Sequence, residues 1–144
     1  MDLTEYITKA EVQRVCRELG IRDWTTLTTP EVTLDEARRI QVEVGGETDQ
    51  ITAEAFQQGL EVELEHGIAF PDANVTNNHP LLTGKIVLAH LKEMLDYYDR
   101  LNVAELEGDL LKATRAGNAE KTMRLYRRLI VARSALAAKE RDSL

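Results

Sequence analysis

Helix start and stop signals punctuate this chain, and no stretch alternates apolar and polar residues for long enough to form a strand. That combination confines it to an all-α fold. Thr8-Lys9-Ala10-Glu11 and Thr33-Leu34-Asp35-Glu36 both have the spacing of a capping box, in which a hydroxyl and a carboxylate satisfy the first free N–H groups of a helix. The first helix runs through Val12, Val15, Cys16 and Leu19 to a stop at Gly20; the second ends at Gly45-Gly46. Ile21 to Pro30 reads as a connector around Trp24, with the indole as a core plug.

A third helix is expected from about Ala53 to just before Gly67, followed by a polar loop over 67–80. Pro80 suits the first turn of a fourth helix, capped by Asn78 or His79 and reaching about Leu101. Asn102-Val103-Ala104-Glu105 reads as another cap, opening a fifth segment that breaks near Gly117, and a last helix covers about 119–141. The sum is a compact helical bundle of about five to six helices with a long basic C-terminal helix, in a single domain over 1–144.

The length allows one domain with a core of its own. The longest apolar runs fall far short of a membrane span, and Met1-Asp2-Leu3-Thr4-Glu5 lacks the basic and apolar regions of a secretory signal. The single cysteine, Cys16, forms no intramolecular disulfide and reads as a small buried side chain. These features point to the cytoplasm. The net charge of −7 is unevenly spread: residues 1–111 carry 9 basic and 22 acidic side chains, whereas 112–144 carry 9 basic and 3 acidic.

All three histidines, His66, His79 and His90, lie within 25 residues, and two belong to mirrored motifs. Glu63-Leu64-Glu65-His66 and His90-Leu91-Lys92-Glu93 each set a carboxylate and an imidazole at i, i+3, on nearly one face of a helix. Phe56, Leu60 and Glu63 fall within about 60° of one another at about 100° per residue, so Glu63 faces the core and needs a partner or a metal. Glu61 and Glu65 read as surface charges. On the fourth helix, Val87, Leu91, Met94, Tyr98 and Leu101 form the core seam, with Ile86, His90, Glu93 and Tyr97 as a flanking stripe.

The expected site is a transition-metal centre held by Glu63, His66, His90 and Glu93, with Tyr97 as a hydrogen-bond donor behind the ligands. Mixed carboxylate and imidazole ligation suits iron, zinc or manganese. His79 is either a third nitrogen ligand or a helix cap. The competing reading makes both pairs structural: His66 near a helix C-terminus is favoured by the helix dipole, and a Glu/His pair is an ordinary polar contact. His66 ends its helix while His90 lies about 15 Å into the next, so the motifs meet only if the loop offsets the helices or if they pair between subunits. No phosphate-binding glycine loop and no Ser/His/Asp or Cys/His pattern appears.

The segment Phe56-Gln57-Gln58-Gly59-Leu60-Glu61-Val62-Glu63-Leu64-Glu65-His66-Gly67, with Asn74-Val75-Thr76-Asn77, Thr83-Gly84-Lys85-Ile86, Ala89-His90-Leu91-Lys92-Glu93 and Asp96-Tyr97-Tyr98, resembles a small uncharacterised family of bacteria and phages. The resemblance covers roughly residues 35–101, leaving 1–34 and 102–144 as extensions. It implies a shared structure and no activity. In that family's pattern a proline often precedes the Asp-Tyr-Tyr; Leu95 stands there here, which should leave the helix straighter. Glu-x-x-His also resembles the motif of ferritin-like di-iron proteins, although here the second motif is reversed and the two further carboxylates are not identified.

In the last helix Met123, Tyr126 and Ile130 form one apolar stripe, and Leu125, Leu129, Ala132 and Leu136 another. Arg124, Arg127, Arg128 and Arg133 fill much of the remainder. A helix apolar on two sides packs on its own body and on a second subunit, so a homo-oligomer is expected. Phosphate binding through Arg124, Arg127 and Arg128 is the competing use, without aromatic interleaving or a recognised motif to support it. The leading function is metal binding, with redox, oxygen or storage chemistry open to it. The alternative is a non-enzymatic assembly or interaction module with a basic C-terminal helix.

Overall fold

The computed structural model describes residues 4–46 and 50–143, and all of its regular structure is helical. The six α-helices are α1 (Lys9–Leu19), α2 (Leu34–Val44), α3 (Ala53–Ala69), α4 (Pro80–Glu93), α5 (Tyr97–Arg115) and α6 (Ala119–Asp142). Two short 3-10 turns, Trp24–Thr26 and Pro71–Ala73, lie in connectors. The chain divides between Glu93 and Met94 into two compact units. No described helix is long and apolar enough to cross a membrane.

In the first unit, α2 packs on α3 and α4, α3 packs on α4, and α1 lies against α4 and the Trp24 turn. Local chemistry sets most helix starts. Thr33 and Glu36 form the full reciprocal capping box, whereas at α1 the Thr8 hydroxyl accepts from Glu11 N but the Glu11 carboxylate turns to Arg14 instead. Thr52 caps α3 through Ala55 N. The core holds Val12, Val15, Cys16, Trp24, Ile40, Phe56, Leu60, Leu64, Val87 and Leu91, each buried. Each large apolar side chain among them contributes about 1.5 to 3 kcal/mol. Trp24 is the expected plug, fully buried, but its Nε1 has no hydrogen-bond partner among the described residues. Burial also pushes the Cys16 thiol pKa up, which makes it an inert core group.

Gly84 fixes how closely α4 approaches its neighbours. A Cβ there would lie 2.7 Å from Val44 Cγ2 and 2.8 Å from Ile40 Cγ2 on α2, and 3.3 Å from the Phe56 ring on α3. Only a residue without a side chain allows that contact.

The second unit is a hairpin of α5 and α6. Its cross-links, Asp99 with Lys139, Arg100 with Glu140 and Glu107 with Arg133, run in opposite sequence directions, so the helices are antiparallel. Gly117 closes α5, with Asn118 N donating to Ala113 O at 3.1 Å, and the Asn118 side chain then caps α6 through Lys121 N at 3.0 Å. Leu106, Ala113, Leu125 and Leu129 form its core, flanked by Val103, Leu110 and Ala132.

Three boundaries differ from the sequence expectation. α3 continues through Gly67 to Ala69, and Asn74 of the following loop donates from Nδ2 to Gly67 O at 3.0 Å in its last turn. α4 stops at Glu93 and α5 already begins at Tyr97, so Asn102–Glu105 lies inside a helix rather than at its start. The break occurs without the family's proline. Residues 94–96 form a turn closed by Tyr97 N donating to Met94 O, and Asp96 then anchors the first turn of α5 through Arg100. Met94, expected in the core seam, is exposed as a result.

Candidate functional site

Phe56, Leu60 and Leu64 turn one face of α3 inward, and Glu63 sits at the edge of that face with its side chain 17% exposed. Val87 and Leu91 orient α4 in the same way and place His90 at its border, 31% exposed. The two meet: His90 Nε2 lies 3.8 Å from Glu63 Oε1. That is within ion-pair range and too long for a direct hydrogen bond. One half of each mirrored motif therefore faces the other within a single chain, and the loop supplies the offset that a tight hairpin would not.

The other halves lie outward. His66, in the last turn of α3, and Glu93, at the end of α4, are both exposed. Among the described residues no three His, Cys, Asp or Glu side chains converge as a set able to hold an ion. Glu63 and His90 thus set a carboxylate and an imidazole side by side at a partly exposed edge of the first unit. The turn at 94–96 interrupts the helical register that set Tyr97 on one stripe with His90 and Glu93. Tyr97 belongs to the second unit, where its ring packs edge-on against the Tyr98 ring, centroids 5.2 Å apart.

His79 is a cap. Its ring is buried, and Nδ1 accepts from Leu82 N at 3.4 Å at the start of α4. An accepting Nδ1 requires the neutral ring with the proton on Nε2. Burial lowers its pKa, against a smaller opposing pull from Glu11.

Two polar contacts were invisible to spacing arguments. Glu36, read as half of a capping box, is also the partner of Arg22, fourteen residues earlier. Burial alone would raise its pKa. The Arg22 guanidinium and the backbone N–H groups of Thr33 and Arg22 outweigh burial and hold the carboxyl at about 2. Glu61, expected to be a plain surface charge, accepts from Val32 N at 3.1 Å, while Gln57 donates to Val32 O at 2.6 Å. Together they clamp the strand-like approach to α2 onto α3. No local pattern encodes either contact, since both join segments far apart in the chain.

On α6 the two apolar stripes have different fates. Leu125 and Leu129 are buried against α5, whereas Met123, Tyr126 and Ile130 are 53%, 49% and 45% exposed. Arg124, Arg127 and Arg128 beside them are exposed and form no ion pair among the described residues. Arg133 and Lys139, by contrast, are paired with Glu107 and Asp99.

A family model described as protein of unknown function (DUF5661) matches residues 12–107, and the chain belongs to that family. The match takes in most of α1 and part of α5 as well as the 35–101 stretch, and α6 lies beyond it. No curated protein and no solved structure matches the chain.

Proposed function

We propose that this member of the DUF5661 family is a non-enzymatic assembly module, in which the outer face of α6 binds the acidic first unit of a second copy of the chain. One observation supports the reading: Met123, Tyr126 and Ile130 stand exposed at helical spacing beside three arginines without ion-pair partners among the described residues. An apolar stripe rimmed by unmatched charge has the makeup of an interface, with the stripe supplying affinity and the rim supplying choice of partner. The complementary charge lies in the same sequence. Residues 1–93 carry 8 basic and 17 acidic side chains, a net −9. Pairing α6 with another α6 would instead set arginine against arginine.

Light scattering of the full chain across a salt series tests this. The expected result is a dimer that weakens as salt rises and is lost in the R124Q/R127Q/R128Q variant, whose helical content is unchanged. A monomer at every concentration, a dimer untouched by the triple substitution, or co-purification with nucleic acid through these arginines would each overturn it.

A second reading rests on the approach of Glu63 to His90. A carboxylate and an imidazole from consecutive helices are two ligands for iron, zinc or manganese. His66 and Glu93, one turn further along each helix, would complete the set after side-chain movement or from a second copy. The ferritin-like resemblance of Glu-x-x-His adds analogy to this reading and nothing more. Metal content of untagged protein decides it. About one or one-half equivalent per chain, lost in H90A, supports a centre; none after reconstitution with each of the three metals retires it.

A further inference from the structure

Apart from the Glu63–His90 pair, a hollow of about 250 Å³ opens among residues from the start of α1, the Trp24 connector, the end of α3 and the asparagine-bearing loop that follows. Lys9, Ile68, Asn74, Asn77 and Asn78 are among its lining residues. Its polar wall is fixed in place. Asn74 Nδ2 donates to Gly67 O at 3.0 Å and to Asn78 Oδ1 at 2.8 Å. Asn77 Nδ2 donates to Ile7 O at 2.6 Å and to Glu5 Oε1 at 2.7 Å. Gly67 makes room for this: a Cβ there would lie 2.1 Å from Asn78 Oδ1. Asn77 and Asn78 take left-handed backbone conformations, φ 49° and 60°, a region costly for most residues and tolerated by asparagine.

The same bonds leave a matched set of polar ends over. The Lys9 ammonium, Asn78 Nδ2 and Asn77 Oδ1 have no hydrogen-bond or ion-pair partner among the described residues. They amount to one cation, one amide donor and one amide acceptor. Leu27, Ile68 and Pro71 add an apolar side. Among the described residues, the carboxylate that these asparagines hydrogen-bond is Glu5, already engaged by Asn77.

We propose that this hollow binds a small carboxylate that also carries a hydrogen-bond donor, the chemistry shared by hydroxy acids and amino acids. Lys9 and the Asn78 amide take the carboxylate, by charge and by hydrogen bond. Asn77 Oδ1 accepts from the ligand's hydroxyl or ammonium, and the apolar side covers a short carbon body. The volume falls below the roughly 300 to 1,000 Å³ of pockets for drug-sized molecules, which sets the size class.

The test is a titration of uniformly ¹⁵N-labelled full chain with lactate, alanine, acetate and methylamine, read at the asparagine side-chain amides. Lactate or alanine should shift the amides of Asn74, Asn77 and Asn78. Whichever binds tells the hydroxy acid from the amino acid. Acetate should bind more weakly and methylamine not at all. Lys9→Met, at an exposed position, should weaken binding about tenfold or more, the scale of one charged hydrogen bond. Asn78→Gly keeps the left-handed backbone, removes the amide and should weaken it similarly. No shift with lactate or alanine, a response to methylamine equal to theirs, or undiminished binding in Lys9→Met overturns the proposal.

Discussion

The guanidinium of Arg22 grips the carboxylate of Glu36 with two parallel hydrogen bonds, Nε to Oε1 at 2.9 Å and Nη2 to Oε2 at 2.6 Å. The Arg22 backbone N–H adds a third at 3.2 Å, and Thr33 N donates to Oε2 at 2.9 Å. One carboxylate thus closes the cap of α2 and ties the preceding connector to it, with its side chain only 5% exposed.

Glu36 should therefore govern stability in acid. Its carboxyl titrates at about 2 in the folded chain against 4.5 when unperturbed. The stabilisation is complete above pH 4.5 and is lost as pH falls towards 2, because the unfolded chain takes up the proton first. A shift of that size corresponds to at most about 3 kcal/mol. Urea melts at pH 7 and pH 3 should show the loss in the wild type. Glu36→Gln should be less stable at pH 7 by about 2 to 3 kcal/mol and should show a smaller difference between the two pH values.

His79 acts in a higher window. Burial lowers its pKa below 6.5, so the unfolded chain binds the proton more readily, and stability declines as pH falls below 6.5. Protonation also removes the Nδ1 lone pair that caps α4. His79→Ala should cost about 1 kcal/mol at pH 7.5. His79→Asn should recover part of the cap without the pH dependence, as thermal melts at pH 7.5 and 5.5 would reveal.

Gly84→Ala should destabilise the first unit by about 1 to 3 kcal/mol, because the new methyl meets Ile40, Val44 and Phe56 from two helices at once. Gly108→Ala is the control. Nothing lies within 4 Å of a Cβ there, so the substitution should stabilise α5 by up to about 1 kcal/mol through helix propensity. Denaturant midpoints of the two variants should move in opposite directions.

The two stripes of α6 should respond differently to substitution. Leu129→Ala, in the buried stripe, should loosen the hairpin at a cost of about 2 to 5 kcal/mol. Ile130→Asp, on the exposed stripe, should leave helical content and melting nearly intact while abolishing self-association. Circular dichroism and light scattering on the same samples separate the two effects.

The sequence alone determined which segments are helical and where most of them start, because caps and apolar periodicity act over three or four residues. Thr33 with Glu36, Pro80 and Gly117 all mark boundaries close to where the chain turns, and the apolar spacing of Val12 to Cys16, Phe56 to Leu60 and Leu125 to Leu129 marks faces that are buried. Glu63 was expected to face the core, and the structure sets it at the border, with its side chain 17% exposed. What meets those faces was decided only in three dimensions. The break at 94–96 has no proline or glycine to announce it, and Glu36 and Glu61 take partners 14 and 29 residues away. Of the four expected ligands, Glu63 and His90 come together while His66 and Glu93 face outward. Spacing within a helix fixes which residues share its face. The rotation and offset of one helix against another follow from how whole faces pack, as where Gly84 lets α4 close on Ile40 and Val44.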